Sequence, residues 1–224
     1  LQLSYDIDAY ETWGLAGDLL GGLNTLDIHR AERTKNILQE ICQLCVGARD
    51  ATPSAVKPDI VVQNLLRKVD LHSIVLRAVQ IKFSVPKADR EKCEPYLLDI
   101  KGLCMQLLER FVRMNNANQT LLVGSIGLFC DQMYESVEHV PELLSSLIQD
   151  NHAMCQSLPD SVLMSVAVAL EHSIFEGKPQ PKLLDFFENT MMPNGQHLHA
   201  EQERVLSIIT SPKLTHVMLL YTEG

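Results

Sequence analysis

Cysteines are the first residues in this sequence whose spacing could support chemistry. Cys42 and Cys45 form a CxxC pair, a spacing found in zinc sites and in redox-active disulfides. A structural zinc site needs four ligands, however, and no second cysteine pair of this kind is present. A thioredoxin-like CxxC opens a helix after a strand, whereas this pair lies inside a helical pattern. We therefore interpret Cys42 and Cys45 as core thiols one helical turn apart, with a metal or redox protein as the alternative.

Histidines are the second group of residues that could support chemistry. His197 and His199 could supply two metal ligands, but no carboxylate or cysteine lies nearby at a recognisable ligand spacing. We therefore favour a solvated loop at this position. Two glutamates are each followed directly by a histidine, at Glu138-His139 and Glu171-His172. Because adjacent side chains point to different sides of a helix, we expect neither pair to act as a unit.

Motifs for catalysis or phosphate binding are missing from the sequence. The glycines between Gly14 and Gly22 do not spell GxGxxG, and no Walker lysine follows them. Gly124-Ser125 lacks the flanking pattern of a nucleophile elbow, and no HExxH sequence occurs. We therefore predict that the chain is not an enzyme. We assign no catalytic, cofactor-binding or metal-binding residues and expect no cofactor.

Composition limits the partners of the chain. It has 224 residues, with 19 Lys and Arg against 28 Asp and Glu, and a formal net charge of −9, so we expect no nucleic-acid partner. No apolar run approaches the roughly 18 residues that span a bilayer, so we expect no direct membrane insertion by this segment. Six irregularly spaced cysteines predict reduced thiols and a cytosolic compartment. The start at Leu1, without Met, suggests a segment of a longer protein.

Helical periodicity runs through almost the whole chain and predicts the helices and loops on which these residues lie. The pattern of apolar residues, prolines and glycines predicts helices over 31–46, 60–69, 71 to before 86, 95–114, 119–134, from 141, 159–176, 181–192 and 201–209. Asn115-Asn116, Pro141 and Pro193–Gly195 are predicted breaks that could act as hinges. Gly124 and Gly127 indicate either a close helix–helix approach or a local break.

The fold class follows from helices that each have one apolar face. Such helices must stack in antiparallel pairs, which predicts an all-α, irregular armadillo/HEAT-like helical solenoid. Residues 1–30 are loosely patterned and are predicted to form an N-terminal capping element. Residues 31–224 are predicted to form the armadillo-like helical domain.

Several blocks of the sequence resemble a known family. Leu183–Met192 is followed by Asn194-Gly195, then by Glu201–Leu206 and Val217–Tyr221. This order is similar to the homology domain shared by inositol trisphosphate receptors and ryanodine receptors, the RIH domain. Blocks in the family's order also occur upstream, at Ile37–Val46, Leu65–Arg67, Val75–Ile81, Asn115–Leu122 and Asp150–Cys155. The resemblance covers about residues 33–224, and Val79–Phe83 favours the inositol trisphosphate receptor branch over the ryanodine receptor branch.

The resemblance implies a cytosolic segment of a tetrameric, ligand-gated calcium-release channel. Such a segment would lie on the cytoplasmic face of the endoplasmic or sarcoplasmic reticulum membrane and would transmit ligand-induced conformational change towards the pore. Its expected partners are other domains of the same receptor and neighbouring subunits of a homotetramer. The alternative is an armadillo-type protein-interaction scaffold unrelated to a channel.

Overall fold

All regular structure that the computed structural model describes is helical. The described residues are 28–45, 58–80 and 87–214, and no strand occurs among them. The α-helices are α1 Ile28–Leu44, α2 Ile60–Lys68, α3 Leu71–Gln80, α4 Lys87–Val112, α5 Asn116–Leu122, α6 Ile126–Tyr134, α7 Val140–Ile148, α8 His152–Ser157, α9 Asp160–Phe175, α10 Lys182–Met191 and α11 His199–Ile209. Short 3₁₀ turns lie at Val123–Ser125 and Pro193–Gly195. The predicted class, an all-α helical solenoid, is confirmed.

The chain divides into two compact units, Leu1–Phe111 and Val112–Gly224. The predicted division into a capping element (1–30) and a helical domain (31–224) stays a prediction. Residues 1–27, which hold almost all of the predicted cap, lie outside the described residues.

The first unit buries one face of each described helix, as the periodicity predicts. Leu38 and Cys42 of α1, Val75 of α3 and Leu107 of α4 are almost fully buried. The start of α2 is also as predicted, because the Asp59 carboxylate caps it by accepting hydrogen bonds from the backbone N–H groups of residues 61 and 62. Leu44 is an exception, since it belongs to the predicted apolar face but is exposed.

Polar side chains tie α4 to the other helices of this unit. The Gln63 amide donates to the Arg110 carbonyl at 2.6 Å, and the Arg110 guanidinium donates to the Cys42 carbonyl at 2.5 Å. Lys35 and Asp99 form an ion pair between α1 and α4. These bonds connect α4 to α1 and α2 in addition to the apolar contacts of the core.

The predicted start of α4 at Pro95 is wrong, because the helix begins at Lys87 and Pro95 lies inside it. Proline lacks an N–H and leaves the carbonyl four residues earlier without its helical hydrogen bond. Glu94 and Pro95 are both exposed. The helix thus continues through the proline at an exposed position, without this one backbone hydrogen bond.

The break between α5 and α6 decides between the two predictions made for Gly124 and Gly127. A Cβ added at either glycine would meet nothing within 4 Å, so the predicted close helix–helix approach is wrong. The helix is interrupted instead by the 3₁₀ turn Val123–Ser125. The local break is therefore confirmed.

The second unit packs around large side chains that are fully buried. Phe129 of α6, Leu143 of α7, Leu163 of α9 and Phe186 of α10 all have no accessible surface. Helix α7 packs chiefly on α10, and α9 packs on both α6 and α11. Arg204 of α11 further binds Asp160 at the start of α9, at 2.7 Å.

A buried polar network holds the corner between α7 and α8. The Gln119 amide donates to the carbonyls of Ser146 and Gln149, both at 3.0 Å. Its oxygen accepts from the Asn151 amide at 2.8 Å, and the Asn151 oxygen caps α8 through the Met154 N–H. Helix α8 itself was not predicted from the sequence.

Each predicted break is occupied by a residue with a defined contact, and their role as hinges stays a prediction. Asn115 caps α5 through the N–H of Asn118, and Pro141 is buried in the first turn of α7. In the Pro193–Gly195 turn, Asn194 has a φ of +53°. Its N–H donates to the Asp150 carboxylate and its side-chain amide donates to the Asp150 carbonyl, both at 3.3 Å. This Asp150–Asn194 clasp joins the α7–α8 corner to the turn after α10.

Candidate functional site

A cleft in the second unit is the candidate site. It has a volume of about 510 Å³ and lies where α6 ends, α7 begins and α9 ends. Its lining combines carboxylates, histidines and one lysine with apolar side chains. The charged and aromatic members are Tyr134, Glu138, His139, Glu142, His172, Glu176 and Lys178.

The end of α6 forms one wall of the cleft. Ser136 has a φ of +58°, the N–H of Ser136 bonds to the Met133 carbonyl, and the N–H of Val137 bonds to the Gln132 carbonyl. This pair of bonds is a Schellman motif, which ends a helix at a left-handed residue. The chain then turns sharply into α7 through His139, whose φ is +65°. The turn brings Glu138 and His139 to the cleft.

The end of α9 forms the opposite wall with the same motif. Gly177 has a φ of +69°, and the N–H of Lys178 bonds to the Ser173 carbonyl. The Ser173 hydroxyl accepts from the N–H of Gln180 at 3.3 Å, which holds the loop after Gly177 over the helix end. Glu176 and Lys178 are thereby fixed at the rim.

An aromatic pair connects the two walls. The rings of Tyr134 and His172 are 4.6 Å apart between centroids and tilted by 48°. Burial raises the pKa of the Tyr134 phenol, with a smaller contribution from Cys130. The phenol is therefore neutral at physiological pH and offers a hydrogen bond beside an apolar ring face.

Negative potential dominates the cleft. Glu138, Glu142 and Glu176 line it, whereas Lys178 is the one lysine or arginine in the lining. Two helix C-termini, those of α6 and α9, also meet there and carry the negative ends of their dipoles. The positive N-terminal end of α7 is opposed by Glu142 in its own first turn. Chemically, the arrangement suits a cationic group.

The structure confirms that Cys42 and Cys45 are core thiols. Both are 1% exposed, and the Cys42 thiol donates to the Leu103 carbonyl. Burial raises the pKa values of Cys42, Cys45 and Cys104 to about 12 each. Metal binding and nucleophilic attack both need a thiolate, so these thiols are chemically inert at neutral pH. Cys130 and Cys155 are also buried and unbonded to sulfur, whereas the side chain of Cys93 lies outside the described residues.

The other sequence candidates are separate from the cleft. His197 lies in an exposed loop, as predicted, and its ring contacts the Gln202 amide at 3.1 Å, while His199 begins α11. The glycines between Gly14 and Gly22 lie outside the described residues. Within 28–45, 58–80 and 87–214, no group of three or more His, Cys, Asp or Glu side chains is placed to hold a metal ion.

The cleft was missed because each Glu-His pair was considered on its own helix. The helix argument does not apply to Glu138 and His139, because they lie in the turn between α6 and α7, and both line the cleft together with His172 of α9. A usable signal was present in the predicted stop at Gly177, because an acidic residue directly before a helix stop adds to the negative end of the dipole.

These features define an all-α helical-repeat protein with an acidic surface cleft. Comparison with protein families gives a match to the RIH domain over residues 48–222. The chain therefore belongs to the RIH domain family of inositol trisphosphate and ryanodine receptors, as the sequence blocks predict. Family membership implies a domain of a larger, endoplasmic reticulum calcium-release channel, and RIH domains of these channels are not enzymes. In the described part of the chain, no helix has the length and apolar character needed to cross a membrane.

Proposed function

We propose that this chain is a cytosolic segment of a tetrameric, ligand-gated calcium-release channel and transmits ligand-induced conformational change towards the pore. The observation that carries the proposal is the RIH domain match over residues 48–222. The segment acts on the cytoplasmic face of the reticulum membrane. It contacts other domains of its own receptor and neighbouring subunits.

The packing of the second unit supports a role in transmission. A displacement at one end of a helix stack reaches the other end only if the corners do not yield. The Gln119 network and the Asp150–Asn194 clasp fix two such corners with bonds between residues far apart in sequence. We therefore propose that the second unit acts as a stiff element, and we place the flexibility needed for gating outside these corners.

Loosening the clasp tests the proposal in the full-length receptor. Asp150→Gly removes the carboxylate that accepts from Asn194, and glycine tolerates the φ of +57° at this position. We expect less calcium release per bound ligand from reticulum vesicles, with unchanged ligand affinity. Asp70→Gly is the matched control, because Asp70 also has a left-handed φ, +56°, but its carboxylate contacts only His72 and Ser73, which are near it in sequence.

One outcome of comparing the two variants would contradict the proposed role in transmission. Release that is the same in Asp150→Gly, in Asp70→Gly and in the unsubstituted receptor would show that this segment does not transmit the signal through the clasp. A protein-interaction scaffold would give that result, since a scaffold needs a binding surface but no stiff connection to a pore.

A further inference from the structure

The turn after α10 contains the one Asn-Gly dipeptide of the sequence, Asn194-Gly195. Both residues are exposed to solvent. When glycine follows asparagine, its backbone nitrogen attacks the asparagine side-chain amide more readily than that of any other residue, because glycine has no Cβ to obstruct the approach. This reaction converts asparagine into aspartate or isoaspartate without an enzyme. The pair is therefore a candidate site of covalent modification outside the acidic cleft.

The folded conformation of this turn holds the two reacting groups apart. Attack requires the Gly195 nitrogen to lie on the Cβ side of the Asn194 Cα–C bond, next to the side-chain carbonyl carbon. The ψ of Asn194 is 27°, which instead places the Gly195 nitrogen close to the backbone nitrogen of Asn194. The Gly195 N–H also donates to the Met192 carbonyl at 3.1 Å. In this geometry the reaction does not proceed.

The Asp150–Asn194 clasp holds the turn in its unreactive geometry. The Asn194 N–H donates to the Asp150 carboxylate, and the Asn194 side-chain amide donates to the Asp150 carbonyl. These two bonds restrain both the backbone and the side chain of Asn194. Reaction therefore needs a local opening in which the clasp separates and ψ rotates. Its rate is the fraction of open molecules multiplied by the rate in an unrestrained chain.

We propose that Asn194-Gly195 is a deamidation site which the clasp protects, and that its reaction irreversibly weakens the clasp. In the open state the Gly195 nitrogen forms a bond to the Asn194 Cγ and loses its proton, and the side-chain nitrogen leaves as ammonia. A water molecule then adds to one of the two carbonyl carbons of the cyclic imide and breaks the bond from that carbon to nitrogen. The product at position 194 is aspartate or isoaspartate, depending on which bond breaks.

The product cannot form the complete clasp again. The amide that donates to the Asp150 carbonyl becomes a carboxylate, which has no proton to donate and repels the Asp150 carboxylate. Isoaspartate also adds one carbon to the main chain of the turn. The extent of deamidation therefore increases with the time that the clasp has spent open. The inference concerns the chemistry of this turn and does not depend on the proposed role in transmission.

Peptide mapping of the full-length receptor after incubation in heavy-oxygen water tests the inference. Hydrolysis of the imide takes one oxygen atom from the solvent, so the label separates deamidation during incubation from deamidation during later handling. We expect the native receptor to deamidate at Asn194 at least about tenfold more slowly than the urea-unfolded receptor. In the folded receptor, Asp150→Gly should raise the rate about fivefold, which corresponds to the loss of about 1 kcal/mol from the clasp.

Controls separate opening of the clasp from general loosening of the fold. Asp70→Gly places a glycine at a left-handed φ in the first unit and should leave the rate at Asn194 unchanged. Hydrogen exchange in α10 checks that Asp150→Gly leaves the second unit folded, and if it does not, the comparison of native with urea-unfolded receptor decides. A native rate equal to the unfolded rate, no labelled product at Asn194 in the unfolded receptor, or an unchanged rate in folded Asp150→Gly would each overturn the inference.

Asn194→Asp reproduces one product of the reaction and tests its effect on the clasp. Hydrogen exchange at the N–H groups of residues 194 and 195 should be faster than in the unsubstituted receptor and about as fast as in Asp150→Gly. Exchange at the unsubstituted rate would show that the modification leaves the clasp intact, which contradicts the second half of the proposal. Calcium release does not enter either readout, so failure here is distinguishable from failure of the proposed function.

Discussion

Gln119→Met is the substitution that most directly probes how the second unit is held together. Gln119 is fully buried and makes three hydrogen bonds, two as donor to the carbonyls of Ser146 and Gln149 and one as acceptor from Asn151. Methionine has nearly the same shape but can replace none of them. The Asn151 amide is then left buried without its partner, which costs about 1–3 kcal/mol, and the two carbonyls add to this. Removal of a buried amide offsets part of the loss, so we expect a net destabilisation of about 2–3 kcal/mol.

The measurement is thermal unfolding of the chain with hydrogen exchange as a local probe. A loss of 2–3 kcal/mol corresponds to a melting temperature lower by about 5–10 °C for a chain of this size. Exchange should accelerate most at Met154, whose N–H is bonded to the Asn151 side chain. Gln156→Met is the matched control, because Gln156 is exposed on α8. If Gln119→Met lowers the melting temperature no more than Gln156→Met does, the network does not hold the corner.

Three further substitutions or conditions test the core and the buried titratable groups. Phe187 is 4% exposed, so Phe187→Asp should lower the free energy of unfolding by at least about 4 kcal/mol. Leu184 is 40% exposed on the same helix, so Leu184→Asp should lower it by less than about 1 kcal/mol. Equal midpoints of urea unfolding for the two variants would contradict the core assignment. Cys45→Ser should cost about 1–2 kcal/mol, and the native thiol should resist alkylation at pH 8 because burial raises its pKa to about 12. Burial also lowers the pKa of His72 below 6.5, against an opposing effect of Asp70. The contribution of the neutral His72 ring to stability is therefore complete above pH 6.5 and is lost as the pH falls through the folded-state pKa. NMR titration of the ring should give this lowered pKa, and a value at or above 6.5 would refute the prediction.

Helix boundaries could be predicted wherever a side chain itself makes the cap. Asp59 accepts N–H bonds at the start of the helix that the sequence predicted from residue 60, and Gly177 takes the left-handed φ that ends α9. Asn115 was predicted only as part of a break before a helix from 119, whereas it caps a helix that begins at Asn116. These are local interactions between near neighbours in sequence, so the sequence alone contains their energetics. The start of α4 was wrong because proline weakens a helix without forbidding it. Pro95 is tolerated inside α4 at an exposed position, and that position on the folded surface is not a property of the local sequence.

Helix α8 shows what local patterns cannot provide. It has six residues, too few for an apolar periodicity to be visible, and isolated helices of that length are unstable in water. Its stability comes from the Asn151 cap, and Asn151 is in turn positioned by Gln119, which lies 32 residues earlier. A contact over that distance in sequence has no local signature, so both the helix and the stiff corner it forms had to come from the structure.

The acidic cleft was hidden for the same reason, and its origin explains why a helical stack would produce such a surface. Each one-faced helix must end before the next can pack against the core, and each end leaves unpaired carbonyls that carry partial negative charge. The Schellman motifs at Ser136 and Gly177 satisfy some of these carbonyls and point the two ends at a common space. Charge at such a meeting point depends on the flanking residues, and here Glu138 follows α6, Glu176 follows α9 and Glu142 lies in the first turn of α7. Lys178 is the one lysine or arginine in the lining, so the three glutamates give the cleft an excess of negative charge that no single helical segment of the sequence reveals.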